Sequence, residues 1–265
     1  MSLIKLSGLN TYPIKSAAGI GLSQSQVTYR GLQYDRRWMV CDLNGKFLTQ
    51  RKLPKMALIQ VAVGDTLRLT TASDSDSSLE LPAIPAAAEP MDVDVWGDHC
   101  TAWSMGDQAA QWLSDFLGLE AQLVYMPDST QRPTDHGRFK TPNSFSDAYP
   151  FLLISEASLA ELNSRLEQPV PMNRFRPNLV VTGCEPFAED AWHQLKIGSV
   201  IFDVAKACSR CSIPGVEQST GEQGKEPLKT LATYRRWDHA IWFGQNLIAH
   251  SEGILRVGEQ VEVLA

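Results

Sequence analysis

Residues 200–215 read Val-Ile-Phe-Asp-Val-Ala-Lys-Ala-Cys-Ser-Arg-Cys-Ser-Ile-Pro-Gly. A strand-like run, Val200 to Ala207, delivers two thiols, Cys208 and Cys211, into a stretch that continues to Pro214 and Gly215. That placement suits a metal ligand or a redox loop. A structural zinc site needs four ligands, usually a second C-x-x-C or a closely spaced His pair. Cys41, Cys100 and Cys184 are isolated here, and His239 and His250 are too far apart. A thioredoxin-like thiol sits at a helix N-terminus, where the dipole lowers its pKa, and Pro214-Gly215 argue against a helix starting at that point. Two readings stay open: one thiolate that binds a soft metal or carries sulfur, and two half-buried core cysteines.

Outward from this run the pattern is β. Strands are expected at Leu3 to Ile14, Asp35 to Cys41, Lys46 to Thr49, Ala57 to Val63, Leu67 to Thr71 and Met91 to Trp96, then at Asn178 to Thr182, His193 to Ile197, Val200 to Ala207, Asn246 to His250 and Gln260 to Leu264. Asp42-Leu-Asn-Gly45 reads as a hairpin turn with Gly supplying the positive φ. Thr71 to Ser78 reads as a polar surface loop, and Pro82 to Pro90 as an irregular Ala/Pro connection. Helical spacing marks Gly106 to Leu117, through Ala109, Trp112, Leu113 and Phe116, and Glu156 to Leu166, which Ser155 starts. A third helix is expected over Glu226 to Trp237. Pro127 to Pro150 is a long polar segment without a period, and loops of that length inside compact domains tend to line sites. Short strands with few helices point to β-barrel-like architecture rather than alternating βαβ units.

The 265 residues suffice for one large or two smaller β-rich domains. No apolar run of transmembrane length occurs, and Met1-Ser-Leu-Ile-Lys-Leu lacks the features of a signal peptide. Five cysteines without even spacing fit a reducing compartment, so the expected location is the cytoplasm. A net charge of −6 argues against nucleic-acid or anionic-membrane binding. Local clusters of cations therefore need a local reason.

Three such clusters accompany the thiols: Tyr12-Pro-Ile-Lys15-Ser16 with Asp35-Arg36-Arg37-Trp38, Asn173-Arg174-Phe175-Arg176-Pro177-Asn178, and Arg210 inside the C-x-x-C. Solvated surface charge is the default reading of any one of them. Each cation, however, sits at a strand end or turn beside Pro or Ser. There it can be aimed at an anion, and backbone N–H groups can assist. Asn178 carries a paired donor and acceptor able to read a heterocycle edge.

In that order, Tyr12-Pro-Ile-Lys15-Ser16, Arg36, Phe175-Arg176-Pro177-Asn178 and Cys208-Ser-Arg-Cys211 resemble the MOSC proteins that carry an N-terminal MOSC β-barrel domain. These are relatives of the mitochondrial amidoxime-reducing component and of bacterial proteins that detoxify N-hydroxylated bases. The resemblance runs from about Leu3 to Leu264 and includes Ile154 to Arg165 and Ala188-Glu-Asp-Ala-Trp192. It implies a mostly β fold with a few helices: an N-terminal β-barrel domain over residues 1–125 and a MOSC β-barrel domain over 126–265, to which N-terminal strands contribute.

The same resemblance implies a molybdenum cofactor (molybdopterin). Cys211 would be the catalytic thiolate on the metal, with Cys208 as a neighbour. Lys15, Ser16, Arg36, Arg176 and Asn178 would hold the phosphate and pterin. The implied activity is reduction of small N-hydroxylated compounds, amidoximes and N-hydroxylated bases. The chain has no dinucleotide fingerprint and no ferredoxin-type cysteine spacing, so electrons are expected from a separate reductase or iron–sulfur protein. The rival class is a cofactor or sulfur carrier without its own turnover, because MOSC domains also occur in cofactor sulfurases. Ala148-Tyr149 replaces a small polar pair common in the family. Asp147 and Tyr149 either border the substrate pocket or form a turn packed by an aromatic ring.

Overall fold

A computed structural model describes residues 3–71, 74–87, 89–132 and 141–265. The fold is mostly β. Its largest sheet runs in the order Val261–Val263, Gln194–Ile197, Val200–Ser209, Ala240–Ala249, Phe151–Ser155, Leu179–Thr182, Lys5–Thr11 and Ile20–Leu22, with Arg236–Trp237 paired beside Ala240–Ala249. Every pairing in it is antiparallel except Phe151–Ser155 with Leu179–Thr182. A parallel pair needs a crossover, usually a helix, and the helix Glu156–Asn163 lies in that connection. Ser155 caps the helix as expected, its Oγ accepting from the Ser158 N–H at 3.0 Å.

The first strand of the chain, with Ile20–Leu22 beside it at the sheet edge, thus sits in a sheet whose other strands come from the second half. Leu9 pairs with Leu179 and Lys5 with Thr182. Leu6, Leu9, Phe151, Phe202 and Leu247 fill one face, covered by Val27, Leu32 and Leu255 from the small sheet Gly253–Arg256, Gln24–Thr28 and Gly31–Leu32. A second core joins Trp38, Met56, Leu67, Leu113 and Leu123. It is enclosed by the sheet Trp38–Cys41, Gln122–Tyr125, Asp98–Ser104, Pro90–Val95, the meander Ile59–Val63, Thr66–Thr71, Asp74–Pro82, and the helix Asp107–Leu117.

Several elements differ from expectation. The helix expected over Glu226–Trp237 is a single turn, Leu228–Leu231; Arg236–Trp237 then pairs with Ala240–Ala249 across Asp238-His239. Both turn residues have positive φ, the backbone of a tight hairpin, so strand pairing prevails over local helical spacing. Much of the loop expected at Thr71–Ser78 is strand: Asp74–Pro82 pairs with Thr66–Thr71. Residues 72 and 73 lie outside the described residues. A polar edge strand needs only its backbone to join a ladder, which is why composition concealed it. Lys46–Thr49 makes isolated bridges, Cys41 to Phe47 and Lys46 to Asp94, rather than a strand. The strand expected from Ala57 begins at Ile59, after the 3-10 turn Pro54–Leu58. Residue 88 of the Ala/Pro connection and residues 133–140 of the long polar segment also lie outside the described residues.

The turn read at Asp42–Gly45 is present, with the Gly45 N–H on the Asp42 carbonyl at 3.0 Å. Gly45 has φ +74°, and a Cβ there would stand 2.2 Å from the Asp92 carbonyl oxygen. Gly45→Ala should therefore destabilise the protein by about 2–3 kcal/mol, from backbone strain plus the clash. A fall in the urea midpoint with unchanged m-value would show it, and an unchanged midpoint would contradict this account of the turn.

Candidate functional site

Strand pairing carries Tyr12 to Ser16 alongside Arg176 to Asn178. The Asn10 N–H donates to the Asn178 carbonyl at 2.9 Å, and the Asn10 amide donates to the Pro177 carbonyl at 3.1 Å. The Tyr12 hydroxyl donates to the same carbonyl at 3.2 Å. Over the Tyr12 ring lie two guanidiniums, Arg36 at 4.5 Å and Arg176 at 4.2 Å from its centroid. Ser16, Arg36 and Arg176 all have left-handed backbone, with φ +68°, +49° and +58°. Such conformations are uncommon outside glycine and concentrate at functional sites.

These residues wall a cleft of about 470 Å³ that also takes in Lys15, Asn178, Cys208 and Cys211. All six residues expected to act together, Lys15, Ser16, Arg36, Arg176, Asn178 and Cys211, line this one cleft. Asp147 and Tyr149 from the long polar segment border it. Five cations line it against the carboxylates of Asp98 and Asp147, in a chain whose net charge is −6.

The cations are not equivalent. Arg36 is neutralised by buried Asp35, Nη1 to Oδ2 at 2.5 Å. The Asn178 amide is committed to the protein. Its Nδ2 donates to the Asn10 carbonyl at 3.1 Å and to Asp35 Oδ1 at 3.0 Å. Its Oδ1 accepts from Arg36 at 3.1 Å and from the Leu152 N–H at 3.2 Å. Asn178 in the structure therefore aims Arg36. Lys15 is buried, donates to the Phe145 carbonyl at 2.7 Å and pairs with Asp147. Burial pushes its ammonium pKa down to about 8, with Asp147 opposing the shift.

Arg176 is the cation that is buried without a carboxylate partner among the described residues; the half-buried Arg210 also lacks one. Arg176 is 8% exposed, and its Nη1 donates to the Ala17 carbonyl at 2.6 Å. Burial pushes its pKa down to about 10. Tyr12, Asp35 and Asp147 attract it without pairing with it, and a buried cation that is only partly compensated is costly, so Arg176 has capacity for an anion. Two further buried atoms of the cleft lack hydrogen-bond partners among the described residues, Arg210 Nε and Ser146 Oγ.

Sequence reading did not single out Arg51 or Trp96. Arg51 binds Asp147 at 2.5 Å and interacts with the Cys211 thiol. Trp96 donates its indole N–H to Asp147 at 3.1 Å. Burial would raise the Asp147 pKa, but Lys15 and Arg51 hold it well below the usual carboxylate range. Arg51 follows Thr49-Gln50 at the end of an apolar run, the same strand-end placement as the other cations, and that was the available signal. At the thiol loop, Arg210 donates to Cys208 Sγ at 3.1 Å and to the Phe175 carbonyl at 2.8 Å.

In this mostly β chain, segments from both halves build one cation-lined cleft that contains the Cys208 and Cys211 thiols. Residues 3–120 match the MOSC N-terminal beta barrel domain and residues 140–262 match the MOSC domain. The chain belongs to the MOSC family, in the form that carries the N-terminal barrel domain. It is 39% identical over 274 residues to mitochondrial amidoxime-reducing component 1 of Mus musculus, covering 96% of this chain and 80% of that protein. The Homo sapiens protein of the same name is 36% identical, over 96% of this chain and 81% of the relative. A molybdenum cofactor sulfurase of Oryza sativa subsp. japonica is 34% identical over 92% of this chain, which spans 32% of that protein.

The Lys15 environment has a measurable sign. A lysine whose folded pKa is depressed binds fewer protons folded than unfolded between about 8 and its ordinary value, so its contribution to stability rises with pH across that window. From pH 8 to 9 the cofactor-free protein should gain about 1 kcal/mol relative to Lys15→Met. Parallel denaturation curves at each pH read the difference, because groups common to both proteins cancel. A difference that stays flat would mean that Lys15 is not held in a desolvated state.

Proposed function

We propose that the cleft holds a molybdenum–pterin cofactor and that the chain reduces N-hydroxylated compounds with electrons from a separate donor protein. One observation carries this reading: a buried Arg176, with no carboxylate pairing it among the described residues, beside Lys15 and Arg36 in the cleft that contains the Cys211 thiol. The donor set suits a group that combines a dianionic phosphate, a flat hydrogen-bonding heterocycle and a soft metal, since guanidinium forks match phosphate and thiolate matches soft metals. The names of the relatives, amidoxime-reducing components and a molybdenum cofactor sulfurase, support it. When bound, the cofactor supplies the redox chemistry and a metal able to accept the substrate's oxygen.

The chain's own residues then bind, orient and exclude water. Arg176 and Lys15 hold the phosphate, and Arg210 Nε and Ser146 Oγ, without partners among the described residues, have capacity for further bonds. Asp35 and Asn178 fix Arg36 against the Tyr12 face. Cys211 is the metal ligand, while Cys208 accepts from Arg210 and stays a neighbour. Conversion of an N–OH to an N–H consumes two electrons and two protons and releases water. The electrons come from the separate donor. All five cysteines are free, as a reducing compartment maintains them, and we place the reaction in the cytoplasm. Among the described residues no helix is long and apolar enough to cross a membrane.

Cofactor or sulfur carriage is the second reading, favoured by the two thiols sharing the cleft and by the sulfurase relative. Protein made in a cofactor-producing host separates the two: molybdenum on the chain with turnover supports the reductase, and sulfane sulfur without metal supports the carrier. Cys211→Ser should abolish activity with metal weakly held or altered, because a hydroxyl is a poor soft-metal donor, whereas Cys208→Ser keeps the metal and much of the activity. The reverse outcome overturns the ligand assignment.

Reduced viologen should drive reduction of an N-hydroxylated base, while NAD(P)H alone should not. Robust turnover with NAD(P)H and no partner would contradict the separate donor. Arg176→Ala and Lys15→Ala should lower molybdenum per chain and leave activity per bound molybdenum within about threefold of the parent, as expected of anchoring groups.

A further inference from the structure

Beside the cleft lies a second cavity, of about 500 Å³, to which the reading above assigns nothing. Arg51 and Trp96 line both, so they form the partition. Trp96 and Gly97 are the two-residue turn between Pro90–Val95 and Asp98–Ser104, where Val95 pairs with Asp98. Their φ angles, +61° and +89°, are the left-handed pair that a tight hairpin requires.

The turn lifts the indole to the boundary, where it stays 52% exposed. Three contacts hold it there. Its N–H reaches Asp147 at 3.1 Å, the Arg51 guanidinium lies 4.6 Å from its ring centroid, and the Phe47 ring lies 4.8 Å away at 52°. An exposed tryptophan held by three oriented contacts presents a fixed aromatic wall. Phe47, Leu48 and Leu53 continue the apolar lining, and carboxylates and ammoniums of both signs, Asp42, Asp94, Lys46 and Lys52, complete it. Mixed signs favour neither a cationic nor an anionic guest. Selection there falls to shape and to ring faces, which bind flat π systems in offset or edge-to-face contact.

We propose that this second cavity is the substrate pocket, taking the planar aromatic body of a neutral N-hydroxylated compound, such as an aryl amidoxime or an N-hydroxylated heterocyclic base. The N–OH group then points past Arg51 into the cleft that holds Cys211. Trp96 is the specificity-determining residue: it contacts the aromatic ring of the substrate and sets the preference for aryl over alkyl compounds. The volume accommodates one or two fused rings, within the range of small-molecule sites. The assignment rests on the reductase reading for the chemistry but not for the binding.

The test uses cofactor-loaded protein with two probes, benzamidoxime and acetamidoxime, and three proteins: the parent, Trp96→Ala and Trp96→Phe. Turnover is measured with reduced viologen, and benzamidoxime binding is measured separately by calorimetry without reductant. Trp96→Ala should weaken benzamidoxime binding about tenfold and lower the aryl-to-alkyl ratio of kcat/KM by a similar factor, the loss of one stacking face. Trp96→Phe retains an aromatic face but not the indole N–H, and should keep both within about threefold.

Three results would overturn the assignment. One is no saturable benzamidoxime binding to the parent. Another is an equal effect of Trp96→Ala on both probes. The third is Trp96→Phe as damaging as Trp96→Ala, which would trace the effect to the Asp147 hydrogen bond. If the parent binds benzamidoxime in a Trp96-dependent way yet reduces neither probe, the pocket stands and the reductase reading fails.

Discussion

The pairing of Lys5–Thr11 with Leu179–Thr182 is the constraint on which the cleft depends. Its register is fixed twice. Leu6 and Leu9 must face the core that Phe151, Phe202 and Leu247 build, and a slip of one residue would turn both outward. Asn10 and Asn178 then bond each other through backbone and side chain. Once that register is set, Tyr12 lies beneath Arg176, and Lys15 enters the cleft that the thiol loop also lines. Asp35 converts the same contact into a charge arrangement by accepting from the Tyr12 N–H at 2.8 Å while pairing with Arg36.

Electrostatics explains why this arrangement is retained despite its cost. A depressed Lys15, a buried guanidinium without a paired carboxylate among the described residues and three left-handed residues all disfavour the folded state. They converge on the wall of one cleft, where binding of an anion would relieve the charge burden. Trp96 and Arg51 extend that wall, so the proposed cofactor side and the proposed substrate side share a partition pinned by Asp147. A carboxylate that holds both a cation near the thiol and the indole N–H ties the geometry of one cavity to the other.

Much of this was legible in the sequence, for identifiable reasons. Lys15, Ser16, Arg36, Arg176, Asn178 and Cys211 could be named because short motifs keep residue type and local spacing together, and the structure brings them to one cleft. The helix Asp107–Leu117 and the Ser155 cap followed from local spacing and side-chain chemistry. What escaped was non-local. Arg36–Trp38 and Arg51 look alike as basic segments, yet only tertiary packing shows that Arg51 reaches Asp147, some 96 positions away. Nothing local shows that the Asn178 amide is already occupied by four protein partners. The Asp74–Pro82 strand and the Arg236–Trp237 hairpin arise from backbone pairing that side-chain patterns do not encode.

The first strand's place in the late sheet also sets an order of events during synthesis. Lys15 leaves the ribosome early and its own partners, Phe145 and Asp147, follow, but the thiol that shares its cleft does not exist until residue 211 has been made. Contacts of such long sequence separation form slowly, because the loop must close before the contacts reward it. No nascent portion of the chain ending before Cys211 can offer the complete pocket wall. Under the proposed function, a cofactor that relies on Lys15, Arg176 and Cys211 together would therefore meet all three only after residue 211 has been made, rather than serve as a nucleus for the earlier chain.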